Sequence, residues 1–420
     1  MLKKYKILIL SFFLLFLSGC SLFAGKGSGE DLTLPALSQE TEIPLASESS
    51  AAPDQPSHLP TVAKGVSEEQ YRAFMNRAAE MTSEMDLRTL LLQLMVLTPE
   101  TVDVNKPVLE AKGNRLEDYP VAGILLRSQN VDNRQQTEAL IQGYQASSSI
   151  PLLICVEEEG GRSVTTMKKL NTTPISNMFS YRGDGRARAY ENARIMAGDI
   201  RSIGFNVDLA PVADVWADPA NKTIGERAYS DSYEKAAELI WEAVQGFSSQ
   251  NIICCLKHFP GSGLAQKANK KDVLAVMERD LASLQAEEFL PFKAGIAAGA
   301  DMIMTGLLEV PQLDSGNLVP FSHYVVTELL RGELGFEGVI ISGRLDELLP
   351  LTEFTAGEAC VRALQAGHDL LLCPVCTSEE LEACLDYLEA ALEADRLSRR
   401  QLEESVRRVL VMKMIHGIIE

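Results

Sequence analysis

Eight short apolar runs, each followed by a longer amphipathic stretch, constrain this chain more than any other feature of its sequence. The runs are LLQLMVL, AGILLR, PLLICVE, FNVDLAPV, IICCLKH, ADMIMTG, GVIISG and HDLLLC. Between them lie stretches with a helical period, such as RARAYENARIMAGDIRSI, SYEKAAELIWEAVQGFSS and LQAEEFLPFKAGIAAG. A continuously apolar run has to be covered on both faces, which calls for parallel strands joined by helical crossovers rather than by hairpins. Eight such units over about 350 residues predict an α/β fold, a single (β/α)8 TIM-type barrel spanning 68–420. An open doubly wound sheet is the alternative. No GxGxxG or P-loop follows any run, so that alternative lacks its usual nucleotide-binding support.

The chain ahead of the barrel obeys different rules. Lys3, Lys4 and Lys6 precede ILILSFFLLFL, an apolar run too short to cross a bilayer. The run ends in Leu17-Ser18-Gly19-Cys20, which resembles a bacterial lipoprotein signal. That resemblance implies a signal peptide over 1–20, cleavage before Cys20 and lipidation of its thiol. The mature protein would then be exported and held on the extracytoplasmic side of the membrane by its lipid alone. An ordinary signal peptide is the other reading. Residues 21–67 are rich in Ser, Pro, Glu and Ala and keep no period of 2 or 3.6, so they are expected to form a disordered tether. His58 falls in that tether, where it has no neighbours to give it a role.

Charge and cysteine usage narrow the partners. A net charge of −19 argues against nucleic acid, whose recognition needs basic stripes, and against lying flat on an anionic membrane. Of the eight cysteines, Cys20 belongs to the signal. Cys155, Cys254, Cys255 and Cys373 sit in apolar strand-like runs and read as small buried hydrophobes. Cys373-Pro-Val-Cys376 has redox or zinc spacing, but no second ligand pair accompanies it. A disulfide there or elsewhere stays open in an oxidising compartment. No metal or organic cofactor is implied, since His323, His368 and His416 stand apart from any carboxylate cluster in the sequence.

In a barrel the active site lies at the C-terminal ends of the strands, so those ends are where function has to be read. They carry Glu157-Glu158-Glu159-Gly160-Gly161-Arg162, then Asp214, Lys257-His258, Thr305-Gly306-Leu307 and Ser342-Gly343-Arg344. Arg227 lies in the long loop after the fourth strand. Carboxylates mixed with cations suit a polyhydroxylated ligand, because charged forks read pairs of hydroxyls. Glu157, Arg162, Asp214, Arg227, Lys257 and His258 are therefore the candidate binding residues.

Long ordered motifs through this region carry a family resemblance. YPVAGILLRSQNVDNRQQ, PLLICVEEEGGRSV, GFNVDLAPVADVWADPANKTIGERAYS, KHFPGSG and LLRGELGFEGVIIS together resemble family 3 glycoside hydrolases of the bacterial β-N-acetylglucosaminidase type. The resemblance implies a (β/α)8 barrel, a retaining mechanism and an N-acetylglucosamine-containing glycan or muropeptide as ligand. A retaining enzyme needs a carboxylate nucleophile and a separate proton donor. The family's nucleophile is the first aspartate of GVVISDDL; here GVIISGRL puts Gly343 in its place and Arg344 in the next. Its general acid/base is the histidine of an Asp-Ser-His run after KHFPGHGDT; here that window holds Ala268, Asn269, Lys270 and Lys271. Ser262 and Leu307 replace two further histidines of the family pattern, and Thr165 stands where an arginine is common. Glu157 matches the sugar-binding aspartate with one extra methylene, a reach of ~1.5 Å, while Arg227, Lys257 and His258 match the family's substrate grip directly.

Three readings follow. The foremost is a lipid-anchored protein that binds amino-sugar glycan with hydrolysis lost or weakened. A second is an active β-N-acetylhexosaminidase using the nearby carboxylates Asp346 and Asp272 as substitutes. A third is an envelope scaffold that binds no sugar.

Overall fold

A computed structural model describes residues 66–99, 116–161, 168–266, 273–375 and 377–420. Its frame is an eight-stranded parallel sheet: β1 (Met95–Leu97), β2 (Gly123–Leu125), β3 (Leu153–Val156), β4 (Val207–Asp208), β5 (Ile253–Phe259), β6 (Met302–Thr305), β7 (Val339–Ile341) and β8 (Leu371–Leu372). Each strand pairs with the next in chain order, and β8 returns to pair with β1 through Met95↔Leu371 and Val96↔Leu372. A parallel bridge, Ile341↔Leu370, closes the last seam. Asp369 reinforces that seam. Its buried carboxylate accepts from the Ile340 amide at 2.9 Å, from Arg331 at 2.6 Å and from Arg408 at 2.9 Å.

All eight apolar runs contain a strand, and the barrel rather than the open sheet is the outcome. One boundary moves: in LLQLMVL only Met95–Leu97 is extended, because Leu91 and Leu92 end the Leu87–Leu92 helix, capped by the Asp86 side chain on the Thr89 amide. The long helices follow their periodicity closely. Arg186–Ile203 ends at Gly204, which takes the left-handed backbone that a glycine adopts without a Cβ clash. Tyr233–Ser249 starts at Ser232, whose hydroxyl accepts from the Lys235 amide. The third stretch divides into Leu281–Ala286 and Phe289–Ala297.

Two apolar layers hold the barrel. Alternate strand residues point inward, so Val96, Leu125, Leu153, Cys155, Val207, Ile253, Cys255, Met302, Val339 and Leu372 fill the lumen. Val409 and Met412 of the C-terminal helix, Arg399–Ile415, join that cluster. The His416 carbonyl accepts from Asn251 just ahead of β5, so this helix plugs the N-terminal end of the barrel. The opposite end is left to polar strand termini.

Candidate functional site

Three consecutive glutamates follow β3, and their partners separate them: Glu157 and Glu159 share one, while Glu158 is buried elsewhere. Glu157 and Glu159 both meet Lys257 from the end of β5, at 3.3 and 2.6 Å. Glu159 also receives a two-pronged bond from Arg227, at 2.7 and 2.8 Å. Arg227 is carried by a short turn, Gly225–Arg227, in the loop after β4. Asn221 steadies that loop by donating to the Ser262 and Gly263 carbonyls at 2.8 and 3.1 Å and accepting from the Thr223 and Ile224 amides.

Burial and pairing oppose one another here. Burial works to raise the Glu159 pKa, yet Lys257 and Arg227 hold the carboxyl well below the usual range. Burial likewise works against charge on Lys257, but Glu159 and Glu157 raise its pKa above the ordinary lysine value. Both remain ionised, and each is what makes the other's burial tolerable.

Lys257 and Asp214, both expected as ligand contacts, are buried in the structure. Lys257 lies behind its two glutamates and holds them in place. Asp214 is buried with both oxygens engaged. One meets His258 Nδ1 at 2.6 Å and accepts from the His258 amide, while the other accepts from the Ser262 amide at 2.6 Å. A carboxylate acceptor on Nδ1 selects the Nδ1–H tautomer and leaves Nε2 as the face available to a partner. Among the described residues of this network, the polar side chains that reach solvent are Glu157, Arg227 and His258, with 38%, 28% and 21% of each exposed.

The ends of β6 and β7 are built otherwise. A Cβ placed on Gly343 would lie 2.7 Å from Leu307 Cδ2 and 2.8 Å from the Thr305 carbonyl oxygen, closer than atoms pack. The space a nucleophile's side chain would leave from is thus occupied. Arg344 does not face an open site either. It binds both oxygens of Asp346, one at 3.1 Å, and Glu347 at 3.0 Å. Asp346 lies in the first turn of the Leu345–Leu348 helix with its amide donating to the Cys373 carbonyl, a helix-start role rather than a strand-end one.

The window Ala268–Lys271 and the other candidate substitute, Asp272, lie outside the described residues, as do Cys20, Arg162, Thr165 and Cys376. The flanks of that window are described. Gln266 and Val276 exchange backbone bonds at 2.7 and 3.1 Å, and Ala275–Val276 pairs in parallel with Leu308–Glu309. The loop after β5 is therefore sewn to the strand that follows Leu307.

Three features escaped the sequence. Glu159 is the hub of the site, joining Lys257 to Arg227, and the sequence carried no signal that singled it out from Glu157 and Glu158. Glu158 is buried against Asp208, which accepts from the Glu158 amide at 2.8 Å. Burial raises the Glu158 carboxyl to about 8 and the Asp208 carboxyl well above its ordinary value. His416, read as solitary, meets Asp301 at 2.9 Å, which raises its pKa against the effect of burial. His368 is packed, between the Ala363 carbonyl and the Thr305 hydroxyl. Among the described residues no three His, Cys, Asp or Glu side chains are grouped to hold a metal ion.

Known proteins are similar to this chain in sequence and fold. A Beta-hexosaminidase of Stenotrophomonas maltophilia is 34% identical over 282 residues, covering 65% of this chain and 82% of that protein. Beta-hexosaminidase A of Pseudoalteromonas piscicida is 29% identical over 320 residues, covering 70% of this chain but only 53% of that protein. The solved glycoside hydrolase family 3 beta-N-acetylglucosaminidase of a Paenibacillus species superposes with a TM-score of 0.71 at 30% identity, over 80% of this chain and 63% of its own. The chain thus spans about half of one relative and under two thirds of another. The family model described as the glycosyl hydrolase family 3 N-terminal domain matches residues 89–412, most of the barrel, and the chain belongs to that family.

Proposed function

We propose that this protein binds an N-acetylglucosamine-containing glycan or muropeptide at the C-terminal end of its barrel and hydrolyses it weakly or not at all. The single observation that carries this reading is the filled space at Gly343. Glycine supplies no carboxylate, and Leu307 together with the Thr305 carbonyl occupies the volume into which one would project. Glycoside cleavage with retention requires that carboxylate, and losing a covalent nucleophile costs orders of magnitude in rate.

Binding is supported by what is kept. Glu157, Arg227 and His258 offer acceptor, fork and ring nitrogen to sugar hydroxyls, while Glu159, Lys257 and Asp214 hold them in position. We further propose that lipidation at Cys20 tethers the barrel through residues 21–67 to the extracytoplasmic side of a bacterial cell membrane, which would put it where amino-sugar polymers are found.

The test combines turnover with binding on the full chain. Release of the aryl group from an aryl β-N-acetylglucosaminide is expected at no more than background, and to be the same in Asp346→Asn. Calorimetry with N-acetylglucosamine and muropeptides is expected to give a saturable heat that Arg227→Ala abolishes. Turnover lost specifically in Asp346→Asn would establish the relocated-carboxylate reading instead. Absence of any heat across the sugar panel would leave the scaffold reading.

A further inference from the structure

Away from the mouth, two cysteines meet in the helical layer. Cys360, in the Ala356–Ala366 helix, and Cys384, in the Ser378–Glu393 helix, bring their sulfurs to 3.4 Å, and both are buried. Gly357 meets Tyr387 one turn away from where Cys360 meets Cys384. A Cβ on Gly357 would stand 2.6 Å from the Tyr387 ring, so the glycine is what lets the helices approach closely enough for the sulfurs to touch. On the outer side of the same contact Glu358 accepts from the Tyr387 hydroxyl at 2.7 Å and from Arg396 at 2.7 Å.

We propose that Cys360 and Cys384 are a modification site: they close to a disulfide that clasps these two helices. A disulfide needs its sulfurs at about 2.05 Å, so closure calls for a further approach of about 1.4 Å between the two side chains. The oxidant is a disulfide, either of low molecular weight or on a thiol-disulfide oxidoreductase. One cysteine thiolate attacks it, forming a mixed disulfide and expelling one thiolate. The second cysteine then displaces the other, forming the Cys360–Cys384 bond. Two electrons pass to the oxidant, which leaves as two thiols carrying the two protons. Because both thiols are buried in the packed barrel, the exchange takes place before the helices dock. An exported protein folds in a compartment that supplies such an oxidant. The proposal does not depend on sugar binding.

The clasp acts on one side of the barrel. The Ala363 carbonyl of the first helix accepts from His368, and the other nitrogen of His368 meets the Thr305 hydroxyl at 3.0 Å. Thr305 in turn supplies the carbonyl packed beside Gly343. The cross-link would therefore stiffen the layer behind β6, β7 and β8.

The experiment is to denature and reduce the full chain, refold it in an oxidising glutathione buffer, trap free thiols by alkylation and map the peptides. The expected result is one linked peptide pair joining Cys360 to Cys384, two mass units lighter than the reduced pair, with Cys155, Cys254, Cys255 and Cys373 alkylated. Reduction should lower the Tm of the wild type by about 5 °C and leave Cys384→Ala or Cys360→Ala unmoved. Full alkylation of both cysteines after refolding, or linkage of either one to a different cysteine, overturns the proposal. The wild-type map decides the matter even where a variant fails to fold.

Discussion

Around the mouth of the barrel, the ends of β3, β4 and β5 are organised by paired charge, and the ends of β6 and β7 by filled volume. On the first side Glu159 joins Arg227 to Lys257, and Asp214 joins His258 to the Ser262 amide. On the second side Leu307 packs over Gly343, and Arg344 is satisfied within its own helix turn by Asp346 and Glu347. The first arrangement leaves Glu157, Arg227 and His258 aimed outward, at some cost in desolvation. On the second side, among the described residues, position 343 carries no side chain and Arg344 is held by Asp346 and Glu347. The proposed loss of chemistry and the proposed grip would thus rest on different strands.

The sharpest way to break this comparison is to remove the hub of the charged side. Glu159→Gln leaves buried Lys257 with Glu157, at 3.3 Å, as its remaining carboxylate and takes the charge from Arg227's partner, and is expected to destabilise the fold by about 3 kcal/mol, read from the denaturant midpoint. A loss below about 1 kcal/mol would mean that the network is not what holds this side together.

A pH series probes the layer beneath. Glu158 has an ordinary value near 4.5 when unfolded and about 8 when folded. The native state therefore holds a proton across that window that the unfolded chain has released, so stability falls as pH rises through it. Between pH 5 and pH 7 the wild type is expected to lose about 3 kcal/mol relative to Glu158→Gln, at about 1.4 kcal/mol per pH unit. Parallel pH profiles for the two proteins would show the carboxyl to be solvated.

On the filled side, Gly343→Asp restores the family's residue but not its space. It is expected to destabilise by about 2 kcal/mol through overpacking and to give no turnover. Leu307→Ala added to it should recover part of that loss, although the Thr305 carbonyl still crowds the site. Easy acceptance of Gly343→Asp with hydrolysis would show that shape is not what separates the two sides. The smallest effect is expected from Asp346→Asn. Its pair with Arg344 is part-exposed and worth about 1 kcal/mol or less, and aryl release should not change.

Much of this was legible in the chain. The strands were readable because a lumen-and-layer barrel demands apolar residues on both strand faces, and the helices because their buried stripes repeat at 3.6. The gaps in the catalytic pattern at Gly343 were readable by position alone. Roles were harder. Lys257 and His258 are adjacent in sequence, yet one is sealed behind carboxylates and the other is presented to solvent. Asp214 reads as a ligand contact and serves as an orienting group. His416 reads as isolated because Asp301 is far from it in the chain.

The sequence by itself determined the barrel, its family and the absence of a carboxylate at position 343, since these rest on local periodicity and on residue identity at strand ends. Only the tertiary structure decided that Glu159 is the centre of the site, that Leu307 closes the space beside Gly343, that Arg344 turns on Asp346, and that Cys360 reaches Cys384. All but the Arg344–Asp346 pair, which lies within one helix turn, are meetings of residues from different elements. Such meetings are set by which volumes remain once the strands close and by which charges can be buried only together.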